Sequence, residues 1–204
     1  MYNSLHKRAR TLRPNQITPL WTNLRQNEQL ILAIRAAQAQ RKSQDPLNFC
    51  REMIGFEPTT YQRELIDLFQ KSQFLAARWC RQSGKSHTIA ALLLWYAFKH
   101  PQTSIAIVGP SLRQTKLIIR KIANFAQKLP AGTTHKPQKK QIQLKNGSVI
   151  EAFPNNPETI RGPTLNIVYA DEFNFIPNDI EMYDAILFTL SATNGKFICT
   201  STPW

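Results

Sequence analysis

Four short runs are apolar at nearly every position: "FLAARW" at 74–79, "TSIAIVG" at 103–109, "LNIVYADE" at 165–172 and "KFICTSTP" at 196–203. Between and before them the period lengthens. "TTYQRELIDLFQK" and "SLRQTKLIIRKIANFAQKL" place apolar residues on one helical stripe, and "KSHTIAALLLWYAFKH" is apolar enough to be a buried helix, with Pro101 just past its end. Uninterrupted apolar strands alternating with helices predict a mostly parallel sheet with helices on both faces, the α/β class. "QIQLKNGSVIEAF" alternates on either side of Asn146-Gly147 and predicts a hairpin with a type I′ turn. "SQDP" predicts a short helix capped by Asp45, started by Pro46 and stopped at Gly55. "WTNLRQNEQLILAIRAAQAQRK" at 21–42 is composed of good helix formers, and residues 1–20 read as a basic arm. The chain therefore divides into an arm and helix over 1–44 and a core over 45–204.

Charge adds a partner class. Lys and Arg number 26 against 13 Asp and Glu, a net charge of +13. Such an excess favours contact with a polyanion such as a nucleic acid, or is simply a solvated basic surface. Lys116, Arg120 and Lys121 on one helix, with Lys139, Lys140 and Lys145 around the hairpin, are the contacts expected. Three scattered cysteines without metal-ligand spacing predict a reduced, cytoplasmic setting. No apolar run approaches the roughly 20 residues of a membrane span, so no membrane is expected.

The chemistry concentrates at strand ends. "RWCRQSGKSHT" at 78–88 resembles a phosphate-binding loop, but Trp79 stands where the usual pattern has its first glycine. Gly84, Lys85 and Ser86 follow a strand and open a helix, so backbone N–H groups would face the phosphates of ATP. Lys85 would reach the β- and γ-phosphates and Ser86 would hold Mg2+. Gln82 and Ser83 lie in the same loop, and Arg81 lies close to any phosphate bound there. A chance tripeptide at a helix start and a surface arginine are the plainer readings. Trp79 lacks glycine's backbone freedom, so other residues must make the turn. Asp171 and Glu172 end an apolar strand, where α/β sheets bind ligands. Asp171 would bind Mg2+ and Glu172 would activate a water, unless the two merely cap a helix. Thr200, Ser201 and Thr202 end the next strand, beside the presumed γ-phosphate, or simply make a turn.

Taken together, "LNFCREMIGFEPTTYQRELID", the loop Arg-Gln-Ser-Gly-Lys-Ser, "IRGPTLNIVYADEF" and "ICTSTP" resemble the large terminase subunits of tailed phages and related viruses, from about Asp45 to Trp204. The resemblance implies a P-loop NTPase fold of the ASCE, RecA/helicase-like kind. It implies an ATP-hydrolysing motor that drives double-stranded DNA into a procapsid as a homo-oligomeric ring, with portal and small terminase subunit as partners. By position it implies that Arg81 senses phosphate or assists catalysis, and that Thr200, Ser201 and Thr202 form the coupling motif. Gln62 would read adenine, although Thr59 and Gln62 also fit a helix capping box. Arg161 would reach a neighbouring subunit's ATP, or contact DNA or solvent. The family's carboxylate-rich nuclease domain is expected to be absent and the ATPase core incomplete at its C-terminus. A helicase-like translocase and a non-catalytic DNA- or partner-binding remnant are the competing expectations.

Overall fold

The computed structural model describes residues 27–31 and 44–203. The chain separates into Met1–Arg41 and Lys42–Trp204. In the first unit, residues 27–31 are helical and exposed; the rest of the expected helix over 21–42 and the basic arm lie outside the described residues.

The second unit begins as its sequence directs. Asp45 accepts a hydrogen bond from the Asn48 N–H (3.0 Å) and Pro46 starts helix α1, Pro46–Asn48. A π-helical turn, Phe49–Met53, follows, and Gly55 ends the segment at φ 58°. Then come α2 (Thr60–Lys71), β1 (Phe74–Arg78), α3 (Lys85–Lys99), β2 (Ser104–Val108), α4 (Leu112–Ala126), β3 (Gln141–Gln143), β4 (Val149–Ala152), α5 (Pro157–Arg161), β5 (Ile167–Asp171), a 3-10 turn (Phe173–Phe175), α6 (Asp179–Ser191) and β6 (Lys196–Ser201).

The six strands form one sheet in the order β1-β6-β5-β2-β4-β3, and only the β3–β4 pairing is antiparallel. Strand alternation divides the core in two. Leu75, Ile105, Ile107, Ile150, Ile167, Tyr169 and Ile198 pack with α2, α3 and α4. Ala106, Val108, Val168, Ala170 and Phe197 pack on the other face with Ile160, Met182, Ile186 and Leu190 of α5 and α6. Because five strands run the same way, Arg78, Ser201 and Asp171 end on one sheet edge, with Arg78 paired to Ser201 and Asp171 to Thr200.

Three expectations change. The strand before the phosphate loop is not buried throughout: among the described residues β1 pairs only with β6, Phe74 is 52% exposed, and Ala76 and Arg78 are exposed too. The hairpin forms, but its turn is not type I′. Gly147 has φ 87° while Asn146 is not among the positive-φ residues, and the Gly147 N–H donates to the Leu144 carbonyl (3.1 Å). Asn146 has another task. Its side-chain amide donates to the Ala97 and Phe98 carbonyls at the end of α3, and its side-chain oxygen accepts from the Ser148 N–H. Finally, α5 and α6 were not anticipated. In α6 Met182, Ala185, Ile186 and Leu190 face inward while Ile180, Tyr183 and Phe188 remain exposed, so the apolar pattern has no clean stripe.

Candidate functional site

The phosphate loop makes its turn without the missing glycine. The β1 pairing continues to Trp79, whose N–H donates to the Ser201 carbonyl (3.0 Å). Positive φ falls instead on Gln82 (60°) and Gly84 (80°). Gly84 caps α3, its carbonyl accepting from the N–H groups of His87 and Thr88. It has a second constraint, since a Cβ there would lie 2.4 Å from Gln62 Nε2. The loop is braced from α2. Tyr61 Oη donates to the Ser83 carbonyl (3.2 Å), Gln62 Nε2 approaches the same oxygen (3.4 Å), and Tyr61 stands edge-on to Trp79. Trp79 thus supplies a packing surface where glycine would supply only freedom. Gln62 is 6% exposed and both ends of its amide are engaged, because Gln62 Oε1 accepts from the Thr59 N–H at the start of α2 (2.9 Å). Its position is that of a cap and loop brace, and it does not line the cleft described below.

The acids stand across from the loop. Strand period two puts Tyr169 and Asp171 on the same face of β5, and register puts Thr200 beside them. Tyr169 Oη donates to Asp171 Oδ1 (2.6 Å) and lies 2.8 Å from Thr200 Oγ1, which donates to the same Asp171 oxygen (3.1 Å). Burial first, then the Asp171 charge, pushes the Tyr169 phenol well above its usual range, so its proton stays in place to hold the carboxylate. This leaves Asp171 Oδ2 without a hydrogen bond among the described residues. With the Ser86 hydroxyl it offers the hard oxygen donors that Mg2+ prefers.

Glu172 leaves the strand in the left-handed region, at φ 50° and ψ 49°. A non-glycine residue there costs about 1–3 kcal/mol, so surrounding contacts must hold it. Lys85 Nζ donates to Glu172 Oε1 (2.8 Å), while the Thr202 N–H (2.8 Å) and hydroxyl (3.0 Å) donate to Oε2. Burial raises the Glu172 pKa, but Lys85 and the two Thr202 donors outweigh it and hold the carboxyl below its ordinary value. Thus Thr200 and Thr202, on one strand end, touch Asp171 and Glu172 respectively.

Between loop and acids lies a cleft of about 590 Å³. Arg81, Gln82, Ser83, Gly84, Lys85, Ser86, Glu172 and Thr202 line it. Asp171, Thr200 and Ser201 are buried beneath it. Arg161 lies outside it, exposed and paired with Glu158 one turn earlier in α5. Among the expected DNA contacts, Arg120, Lys139, Lys140 and Lys145 are exposed. Lys121 differs: it lines the cleft with Gln114, because residues seven apart share a helix face. Tyr169 was also missed, although its place two residues before Asp171 on a strand already marks the shared face. Tyr169→Phe should lower stability by about 1 kcal/mol, the net value of one hydrogen bond. Urea denaturation measures this, and unchanged stability would show that the phenol does not bond Asp171.

The sequence model of the terminase large subunit, T4likevirus-type, N-terminal, matches residues 79–204. Terminase large subunits of Thermus virus P23-45 and Thermus phage G20c are 27% and 25% identical over 173 residues, which is 74% of this chain. The chain spans about a third (35%) of the length of each relative. The solved large terminase ATPase domain of Thermus phage P74-26 is similar at TM-score 0.61 and 24% identity, covering 76% of this chain and 68% of that one. The large terminase of bacteriophage HK97 is similar at TM-score 0.65 and 18% identity, covering 79% and 37%. These likenesses show that the chain shares the α/β fold of those large terminase structures.

Proposed function

Because the chain belongs to the terminase large subunit family, we propose that its core is an ATP-hydrolysing motor domain that couples hydrolysis to the movement of double-stranded DNA into a viral procapsid. The observation that carries this reading is the reach of Glu172 across the cleft, from Lys85 on the phosphate loop to Thr202 on the neighbouring strand end. A carboxylate held this way can serve as a base, and its partners are the groups that phosphate binding would disturb.

In this reading the N–H groups at the start of α3 and the Lys85 ammonium hold the phosphates. Arg81, on the same loop, adds charge. Lys85 must give up Glu172 Oε1 to reach a phosphate, which frees that oxygen to take a proton from the attacking water. Ser86 and Asp171 would hold Mg2+, which supplies charge neutralisation between phosphates when bound. Loss of the Lys85 bond changes the load on Thr202, so the strand end at Thr200, Ser201 and Thr202 would carry the event outward. The partners proposed are double-stranded DNA, neighbouring copies in a ring, the portal and the small terminase subunit, all met in the host cell. The exposed lysines at 139, 140 and 145 suit phosphate contacts that ignore base sequence.

Lys85→Ala tests the site. Removing one partner of a buried charge pair costs about 2–5 kcal/mol, so affinity for ATP should fall thirtyfold or more. Calorimetric titration of ATP into both proteins reads this directly, and equal affinities would overturn the assignment of the loop.

A further inference from the structure

We propose that Lys121 is a second phosphate-binding cation of the cleft, one that contacts the terminal phosphate of a nucleoside triphosphate and so separates triphosphate from diphosphate. The inference rests on the reading of the cleft as a nucleotide site and adds a residue from outside the loop and acid motifs.

Three observations meet at this side chain. First, α4 presents two different stripes. Arg113 and Arg120, seven apart, are exposed; Gln114 and Lys121, also seven apart, line the cleft opposite the phosphate loop. Second, Lys121 is half-buried but has no hydrogen bond or ion pair among the described residues, whereas Lys85, the loop's own lysine, is occupied by Glu172. Burial holds the Lys121 ammonium below its ordinary value; the Asp171 charge opposes this, and the Lys85 charge adds to it. A partly desolvated cation without a hydrogen bond or ion pair among the described residues, bordering a cleft, gains most from an anion placed there. Third, Lys121 lines the same cleft as Lys85, Ser86 and Glu172, and the Asp171 and Lys85 charges both act on it. A cation on the α4 wall of that cleft would meet the last phosphate, while Arg81 approaches from the loop. A diphosphate lacks the group that would reach it.

The test uses the 204-residue chain and the variants Lys121→Met, which keeps an unbranched apolar stem, and Lys121→Arg, which restores the charge. Affinities for ADP and for a non-hydrolysable ATP analogue are measured with Mg2+, and duplex DNA affinity is measured across a salt series. The expected result is a fall of about ten- to a hundredfold for the triphosphate in Lys121→Met, the scale of a hydrogen bond to a charged group. ADP affinity should hold within about twofold, with recovery in Lys121→Arg. If triphosphate and diphosphate affinities are both unchanged, or fall together, the proposal is overturned. A DNA affinity that drops with a shallower salt slope, at constant nucleotide affinity, would return Lys121 to the DNA-contacting stripe. Lys85→Ala separates the two levels of inference. If it loses ATP while Lys121→Met does not, only the role of Lys121 fails. If Lys85→Ala binds ATP normally, the reading of the cleft itself fails.

Discussion

Glu172→Gln should bind ATP and fail to turn it over. The amide keeps the shape of the side chain and can still accept from Thr202, but it cannot take a proton from water. Loss of a general base costs about 10²–10⁴ in rate, and single-turnover hydrolysis is where the loss should be read. Binding should tighten, because Lys85 no longer has a carboxylate to leave (2.8 Å) before it meets a phosphate. The variant has a second signature, in acid. The Glu172 pKa is held below its ordinary value, with burial opposed by Lys85 and Thr202. A carboxyl depressed in the folded state adds stability above the ordinary carboxylate range, and that stability is lost as pH falls through the folded value. Glu172→Gln should lose that part of the acid dependence in thermal melts, while remaining folded at neutral pH. Normal single-turnover rates in the variant would remove Glu172 from the catalytic role.

Arg161→Ala should slow hydrolysis by about 10³–10⁵ in an assembled motor, the scale of an arginine finger, with little change in nucleotide affinity. Arg161 is exposed at the end of α5, is held only by Glu158 among the described residues, and stands outside its own chain's cleft. An arginine so placed has no substrate to act on within its own chain. In the proposed ring it would act on a neighbour's substrate, and breaking an exposed pair costs little. The decisive measurement mixes Arg161→Ala, whose cleft is intact, with Glu172→Gln, whose arginine is intact. Mixed assemblies should hydrolyse ATP where neither variant does alone. If Arg161→Ala alone is fully active, or mixing restores nothing, the arginine contacts DNA or solvent.

How much of this was legible depends on the range of the forces involved. Local pattern was enough for β2, β5, β6 and the helices α2, α3 and α4, because each announces itself within its own window. The loop and acid pair were legible for the same reason. Strand order was not: no local signal says that β6 sits between β1 and β5, yet that insertion is what places Thr200 beside Asp171. The turn at Asn146 was misjudged because its amide answers to carbonyls in α3, far away along the chain. That Lys121 lines the cleft was not legible, because a helical wheel names faces without naming what stands opposite them. α6 escaped because it is apolar on two sides, and periodicity fails when both sides speak alike.

The cleft also carries a sulfur. Cys80 opens the phosphate loop, lines the cleft and is exposed, whereas Cys50 is wholly buried and Cys199 half-buried. Burial pushes the Cys50 thiol up to about 12 and raises that of Cys199 as well, so at neutral pH both are poor nucleophiles shielded from reagent. Alkylation therefore has one favoured target, at the mouth of the site. A fluorophore or spin label coupled to the unmodified chain would report from the edge of the loop, and a ligand that fills the cleft would slow the labelling. The uneven burial of three thiols turns the native protein into its own probe, with no engineered cysteine required.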